Sequence, residues 1–257
     1  MVNKQRGFTL VEIAIVLVII GLLLGGVLKG QELITAARVR NLGDQAAGVQ
    51  AAYYGFIDRY RAVPGDMLPG QACNAIGNTI ATWGCPAGGG GGNVGGNGNG
   101  TIAAPPPATD ARWEEAAAAW SHMAAAGFLQ GQYPGNANSL GTYTAPPGAP
   151  PGPAAPTNPW NGFLLLATTN EYSNPVGAQP ARLHLVMGRN VPVNIMRELD
   201  LKMDDSQPNS GILRAAAPGA AAFRLLSGSA PNCVLAGATA IWDINAGASD
   251  CNGYFLF

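Results

Sequence analysis

The sequence has little charge and no basic stretch beyond its amino terminus. Only 11% of its 257 residues are charged, and the formal net charge is −1. Proteins that bind nucleic acids depend on lysine and arginine contacts to phosphates. The composition therefore gives nucleic-acid binding little support, and we expect no nucleic-acid partner.

The sequence also lacks the common motifs of enzymes and nucleotide-binding proteins. It contains no GxSxG, no HExxH and, in its glycine-rich region, no GKS or GKT. Its two histidines, His122 and His184, have no metal-ligand spacing. We interpret both as packing or surface residues. We therefore expect a protein that is not an enzyme and has no catalytic residue, no metal and no cofactor.

No pair of cysteines has the CxxC spacing of a zinc site or a thioredoxin-like redox site. The chain has four cysteines, Cys73, Cys85, Cys233 and Cys251. An even number in polar, loop-like sequence indicates two disulfides formed in an oxidising compartment. Three connectivities are possible. We prefer Cys73 with Cys85 and Cys233 with Cys251, because these pairs close short loops.

What the sequence does have is one long apolar run at its amino terminus. Residues 8–28 are interrupted in polarity only by Thr9 and Glu12. A helix of this length can cross a bilayer. Lys4 and Arg6 precede the run, which predicts a cytoplasmic amino terminus and export of everything after about residue 30.

Glu12 distinguishes this run from ordinary membrane segments. A secretory signal peptide usually has a shorter apolar core and no ionisable residue near its start. A plain membrane anchor explains the length of the run but not Glu12, because a lone carboxylate in hydrocarbon costs roughly 2.5–3.5 kcal/mol. A side chain that reaches back to the membrane interface is the remaining simple alternative.

The segment KQRGFTLVE resembles the class III signal of type IV pilins and of the related pseudopilins of type II secretion. It has a short basic leader that ends in Gly7, then Phe8, and Glu12 as the fifth residue counted from Phe8. The resemblance implies that a prepilin peptidase cuts between Gly7 and Phe8 and methylates the new amine. It also implies that Glu12 pairs with the Phe8 amine of a neighbouring subunit.

Helical periodicity continues beyond the apolar run. Pro64, Gly65 and Asp66 end the pattern, so we predict one helix over about residues 8–61. An apolar stripe with spacings 4-3-4-3-4 marks its second half, at Leu42, Ala46, Val49, Tyr53, Phe56 and Tyr60. Glycines in its first half favour either close helix approach or a zone that unwinds outside lipid, at Gly21, Gly25, Gly26 and Gly30.

The rest of the chain predicts an exported domain with glycine- and proline-rich loops. We expect a helix over 111–130 with Asp110 as its N-cap, and a short helix over 195–203. Strand-like runs lie at 162–169, 181–188, 221–228, 233–244 and 254–257. A long helix followed by an antiparallel sheet matches the pilin architecture, an α+β fold.

Acidic residues in this domain have simple structural interpretations. Asp204 and Asp205 precede SQPNSG and predict turn and capping chemistry. Asp243, Asn245 and Asp250 are similar to part of a calcium loop, although most of its ligands are missing. A loop held by a Cys233 to Cys251 disulfide is the simpler account.

The resemblance implies a structural subunit of a type IV pilus-like filament, with a type II secretion pseudopilin as the alternative. A membrane-tethered binding module or enzyme is the third possibility. The expected segments are a leader at 1–7, a transmembrane half-helix at 8–30, an amphipathic half-helix at 31–63 and an exported domain at 64–257. The implied partners are copies of the chain, other pilins, a prepilin peptidase, the assembly platform of the bacterial inner membrane, and the membrane itself.

Overall fold

The computed structural model describes residues 10–77, 95–103, 114–133, 135, 155–175, 179–187, 190–216, 233–235 and 240–257. The chain divides into two compact units, Met1–Arg40 and Asn41–Phe257. The predicted boundaries at residues 7, 30 and 63 concern processing and membrane contact, and they stay predictions. Four helices lie in the described residues: α1 (Leu10–Tyr60), α2 (Pro69–Ala75), α3 (Glu114–Ala125) and α4 (Val193–Met203).

The strands of the described residues form two antiparallel arrangements. They are β1 (Leu165–Thr169), β2 (Arg182–Val186), β3 (Leu213–Ala215), β4 (Val234–Leu235), β5 (Ile241–Trp242) and β6 (Gly253–Leu256). One sheet has the order β1-β2-β6-β3, and β4 pairs with β5 in a separate hairpin. The carboxyl-terminal strand therefore lies inside the larger sheet. The predicted α+β class, a long amino-terminal helix followed by an antiparallel sheet, is confirmed.

The second half of α1 packs against the carboxyl-terminal domain through the predicted apolar stripe. Five of its six residues are buried, from Leu42 to Phe56, and Tyr60 is half-buried. The Tyr53 ring stacks on Phe257, the last residue of the chain, with 5.6 Å between centroids. Phe56 contacts the rings of His122 and Phe128. The helix thus contributes one continuous face to the core.

Two buried carboxylates connect the turn after α1 to α3 and to the segment 95–103. The two oxygens of Asp66 accept hydrogen bonds from the Gly98 N–H at 2.8 Å and the Gly100 N–H at 2.6 Å. Glu115 in α3 accepts one from the Ala103 N–H at 2.6 Å. Backbone N–H donors satisfy carboxylates that burial would otherwise destabilise.

Gly65 makes this turn possible. Its φ of +88° lies in the left-handed region, and a Cβ added there would lie 2.2 Å from the carbonyl oxygen of Glu115. Its N–H donates to Nδ1 of His122 at 3.0 Å. Because Nδ1 accepts, neutral His122 carries its proton on Nε2. His122 is fully buried, in agreement with a packing role.

The structure differs from the sequence prediction in several element boundaries. In the described residues α3 ends at Ala125 and not at Gln130, because Gly127 turns the chain with a φ of +82°. The run 233–244 contains the two short strands β4 and β5 instead of one strand. The sequence prediction omitted α2 and β3. Asp110 and the predicted strand at 221–228 lie outside the described residues.

One predicted disulfide is confirmed. Cys233 and Cys251 are bonded, with their sulfurs 2.04 Å apart and their Cα atoms 5.8 Å apart. The bond connects the start of the β4–β5 hairpin to the residues just before β6. Cys73 is buried on α2, whereas Cys85 lies outside the described residues. The pairing of Cys73 with Cys85 therefore stays a prediction.

His184 on β2 is a neutral, buried histidine. Nδ1 lies 2.6 Å from the Arg182 carbonyl oxygen, which can only accept, so Nδ1 carries the proton. Its ring packs against Tyr172 and Tyr254. Nε2 is buried and has no hydrogen-bond partner among the described residues. Burial, together with smaller contributions from the positive charges of Arg214 and Arg182, lowers the His184 pKa to about 4.

Replacing His184 by phenylalanine should reduce the loss of stability at acidic pH. The pKa is about 4 in the folded chain and about 6.5 when unfolded, so the unfolded state binds more protons between these values. The stabilisation is present above about pH 6.5 and is lost as pH falls towards 4, by about 2 kcal/mol at pH 5. Denaturant unfolding of both proteins as full chains in detergent, at pH 7 and at pH 5, measures this change in the free energy of unfolding.

The comparison of His184→Phe with the wild type isolates the contribution of His184 to the pH dependence of stability. His122 is present in both proteins, so its contribution cancels. Asp200, whose pKa burial raises to about 6, also cancels, although it changes stability in the opposite direction over the same pH range. Equal pH dependence in the two proteins would contradict the prediction.

Candidate functional site: the amino-terminal helix

The first part of α1 presents apolar side chains to its surroundings on all sides. Leu10 is 91% exposed, Leu22 73% and Leu28 67%. Large exposed apolar surfaces occur where a protein meets a membrane or another protein. The other large side chains exposed in residues 10–28 are Val11, Ile13, Ile15, Val16, Leu17, Val18, Ile19, Ile20, Leu23, Leu24 and Val27.

This part of the helix is long and apolar enough to span a membrane. Its most apolar window has a mean hydropathy of 2.8, and none of that window is buried within the chain. A core helix of a soluble domain with this composition would be covered by its own fold. Helices that are apolar on all sides require lipid or neighbouring helices. The length and composition therefore fit a membrane-anchored chain.

Glu12 is the acidic residue in the first turn of α1, and it is exposed. A carboxylate here interacts favourably with the partial positive charge at a helix amino terminus. The next charged residue along the helix is Lys29, and the residues between them are uncharged. The charge of Glu12 is therefore placed at one end of the apolar surface.

Lys29 is a residue whose significance sequence reasoning missed. It follows the apolar run directly, where a positive charge would weaken the orientation inferred from Lys4 and Arg6. In the structure its Nζ lies 2.7 Å from the Glu32 carboxylate, and both side chains are largely exposed. The spacing of three residues on a helix is the signal that predicts this ion pair. The pair cancels the local charge, which leaves Lys4 and Arg6 as the dominant positive charges beside the apolar run.

The four glycines of the apolar half do not interrupt α1, which is helical from Leu10 to Tyr60. A Cβ added at any of them would meet no atom within 4 Å. Packing within the described chain therefore does not require glycine at these positions. Their spacing places Gly21 with Gly25, and Gly26 with Gly30, four residues apart on one face. Such pairs permit close contact with a helix from another molecule.

Two predicted site residues, Gly7 and Phe8, lie outside the described residues. Their roles in processing therefore stay predictions, as does the role of Glu12 in assembly. In the described structure α1 begins at Leu10.

Two acidic residues of the carboxyl-terminal domain, Asp243 and Asp250, have structural partners. Asp243 accepts hydrogen bonds from the Asn245 and Ala246 N–H groups and caps a short 3-10 helix, Ile244–Ala246. Asp250 accepts from the Asn190 N–H at 2.8 Å. These two carboxylates therefore serve the loop that the Cys233 to Cys251 disulfide closes.

Comparison with known proteins places the similarity at the amino terminus. A family model described as the prokaryotic N-terminal methylation motif matches residues 2–28. None of the curated proteins or solved structures compared with the chain matches it significantly. The similarity therefore concerns the segment that contains Gly7, Phe8 and Glu12, together with the exposed apolar part of α1.

Proposed function

From an amino-terminal segment that carries the signal of type IV pilin-like or pseudopilin precursors, we propose that this chain is a structural subunit of a type IV pilus-like filament. Prepilin peptidase cleaves it after Gly7 and methylates the amine of Phe8, and the subunits polymerise through α1. The role is structural and not enzymatic. The observation that carries the proposal is the methylation motif joined to a helix whose apolar side chains are exposed on all sides.

The position of Glu12 supports polymerisation over simple anchoring. Anchoring needs only apolar length, and a carboxylate in hydrocarbon makes insertion less favourable by roughly 2.5–3.5 kcal/mol. Cleavage before Phe8 creates a positive amine near Glu12. When subunits stack, Glu12 of one chain pairs with the Phe8 amine of another, because a buried charge is tolerated when it is paired. The pair also sets the axial register of helices that apolar contacts alone specify poorly.

The glycines support close packing of α1 against other copies. They weaken the helix by up to about 1 kcal/mol each relative to alanine. The described chain offers no neighbour that would require them. Contact with a helix from another subunit gives a reason for their presence, because glycine lets two backbones approach closely.

Before assembly the chain crosses the bacterial inner membrane once, with its amino terminus in the cytoplasm. The assembly platform and other pilins are its expected partners there. After assembly the exported domain faces outward on an extracellular pilus, where adhesion or motility are the associated roles. The pseudopilin alternative shares the same motif and places the subunit in a short periplasmic filament of type II secretion.

The filament proposal predicts that the processed chain, beginning at Phe8, is recovered in fibres sheared from the host cell. Mass spectrometry of sheared fibres and of the membrane fraction measures its distribution. Retention of all the protein in the membrane fraction would contradict filament assembly and favour a tethered module. A deletion strain that keeps its pili but loses secreted enzymes would favour the pseudopilin.

Replacing Glu12 by alanine should leave membrane insertion intact but impair assembly. The Phe8 amine of the neighbouring subunit would then be buried without its partner, a loss of roughly 3–5 kcal/mol for a buried pair. We expect fibre incorporation to fall by more than about tenfold. Asp58→Ala is the matched control, because Asp58 is an exposed acidic residue in the domain half of the same helix. Normal assembly of Glu12→Ala would contradict the proposed pairing.

Replacing Gly25 by alanine should reduce fibre formation, although it favours the helix itself by up to about 1 kcal/mol. The added methyl group has space in the single chain but would separate closely packed helices. Gly48→Ala is the control, because Gly48 lies on the domain half of α1 and also has open space around it. Fibre yields that are equal for the two variants would exclude close contact at Gly25.

A further inference from the structure

Three carboxylates converge at the carboxyl-terminal end of α4. Asp200 and Asp204 are separated by one helical turn, and Asp205 follows. Each contributes one oxygen atom, and these oxygens lie within 4.8 Å of one another. We refer to Asp200, Asp204 and Asp205 as the acidic cluster. Asp200 is buried, Asp204 is half-buried and Asp205 is exposed, so the cluster opens to solvent on one side.

The buried member of the cluster is incompletely satisfied. Asp200 is fully buried, and its Oδ2 accepts a hydrogen bond from Nε1 of Trp242 on β5 at 2.7 Å. Its Oδ1 is also buried but has no hydrogen-bond partner in the described part of the chain. The Ser206 backbone N–H lies near the carboxylate and favours its charged form. A buried oxygen of a carboxylate normally has a partner, because its desolvation is costly.

The electrostatics of the cluster are unfavourable without a cation. Acidic side chains four residues apart on a helix repel each other, and the carboxyl end of a helix dipole is negative. Lys202, the basic residue in the last turn of α4, is already paired with Glu198. The fold thus holds three acidic groups together without a compensating charge from that lysine.

Hydrogen bonds fix the other two carboxylates in place. Asp204 accepts from the backbone N–H groups of Ile212 and Leu213, at the start of β3. Asp205 accepts from the Gln207 N–H at 2.9 Å and from the Ser210 hydroxyl. These bonds confirm the turn and capping chemistry expected from the sequence. They also hold the carboxylates in one arrangement, so little ordering is needed for them to bind a ligand.

We propose that the acidic cluster is a binding site for a hard divalent cation, with calcium as the best fit. Calcium binds oxygen ligands at about 2.3–2.6 Å, so its ligands can lie up to roughly 5 Å apart, which accommodates the span of the cluster. Magnesium needs shorter distances of about 2.0–2.1 Å and a stricter geometry. The inference goes beyond filament assembly, does not depend on it, and differs from the expectation of no metal.

The bound ion would give the Asp200 Oδ1 its missing partner and would offset the repulsion within the cluster. It would also join three parts of the exported domain: the end of α4, the turn before β3, and β5 through the Trp242 hydrogen bond. Waters and backbone oxygens complete calcium sites that have few carboxylates. For such a site we expect a dissociation constant in the range of extracellular modules, about 10⁻⁴ to 10⁻³ M.

Terbium luminescence tests the site directly, because the Trp242 indole is hydrogen-bonded to Asp200 and can sensitise a terbium ion bound beside it. The full chain, purified in detergent and treated with chelator, is titrated with terbium under tryptophan excitation. We expect luminescence that calcium displaces at lower concentrations than magnesium. Calorimetry with calcium alone measures the affinity independently. Failure of calcium to bind at millimolar concentration would overturn the proposal.

Variants identify the ligands. Asp205→Asn and Asp200→Asn each remove one charge but keep an oxygen acceptor, and we expect each to weaken calcium binding by at least about tenfold. Glu198→Gln is the matched control on α4, since it removes a charge outside the cluster, and it should bind like the wild type. Circular dichroism establishes that each variant is folded. Wild-type affinity in both cluster variants, or equal losses in Glu198→Gln, would overturn the assignment.

Discussion

The two halves of α1 differ in how their apolar residues are arranged around the helix. Residues 10–28 are apolar around the whole helix, and the large side chains there are exposed. From Leu42 onward the apolar residues occupy one face, and that face is buried. The change from an all-round to a one-sided pattern occurs without a break in the helix. The described part of the chain thus covers the apolar residues of α1 in the half where they lie on one face.

The carboxyl-terminal domain is organised around the half of α1 whose apolar residues lie on one face. Tyr53 stacks on Phe257, so the last residue of the chain lies against the helix, and β6 is held inside the sheet between β2 and β3. Phe56 contacts His122, which in turn accepts the Gly65 N–H in the turn that follows α1. Local turn geometry and distant packing therefore reinforce each other. Such agreement between local and tertiary preferences is typical of sequences with a single fold.

Sequence reasoning succeeded where a pattern is local and failed where a partner is distant. The apolar stripe of α1 has a regular period, and the Cys233 to Cys251 disulfide closes a short loop, so both were predictable. The short strand β3 has too few residues for a periodic signal, and it forms because β6 pairs with it. The carboxylates of Asp66 and Asp200 bind groups more than thirty residues away, and no spacing in the sequence marks those contacts.

Three carboxylates, those of Asp66, Asp200 and Glu12, differ in their burial and in their hydrogen-bond partners. These differences indicate which kind of partner each carboxylate requires. Asp66 is satisfied within the fold by backbone N–H groups. Asp200 is buried with one oxygen bonded and the other left without a partner in the described structure, so an ion is the partner we assign to it. Glu12 lies on an exposed apolar helix that requires lipid or other helices around it. In the proposed filament, neighbouring helices enclose the charge of Glu12, and a buried charge is tolerated when it is paired. The Phe8 amine of a neighbouring subunit would be that partner.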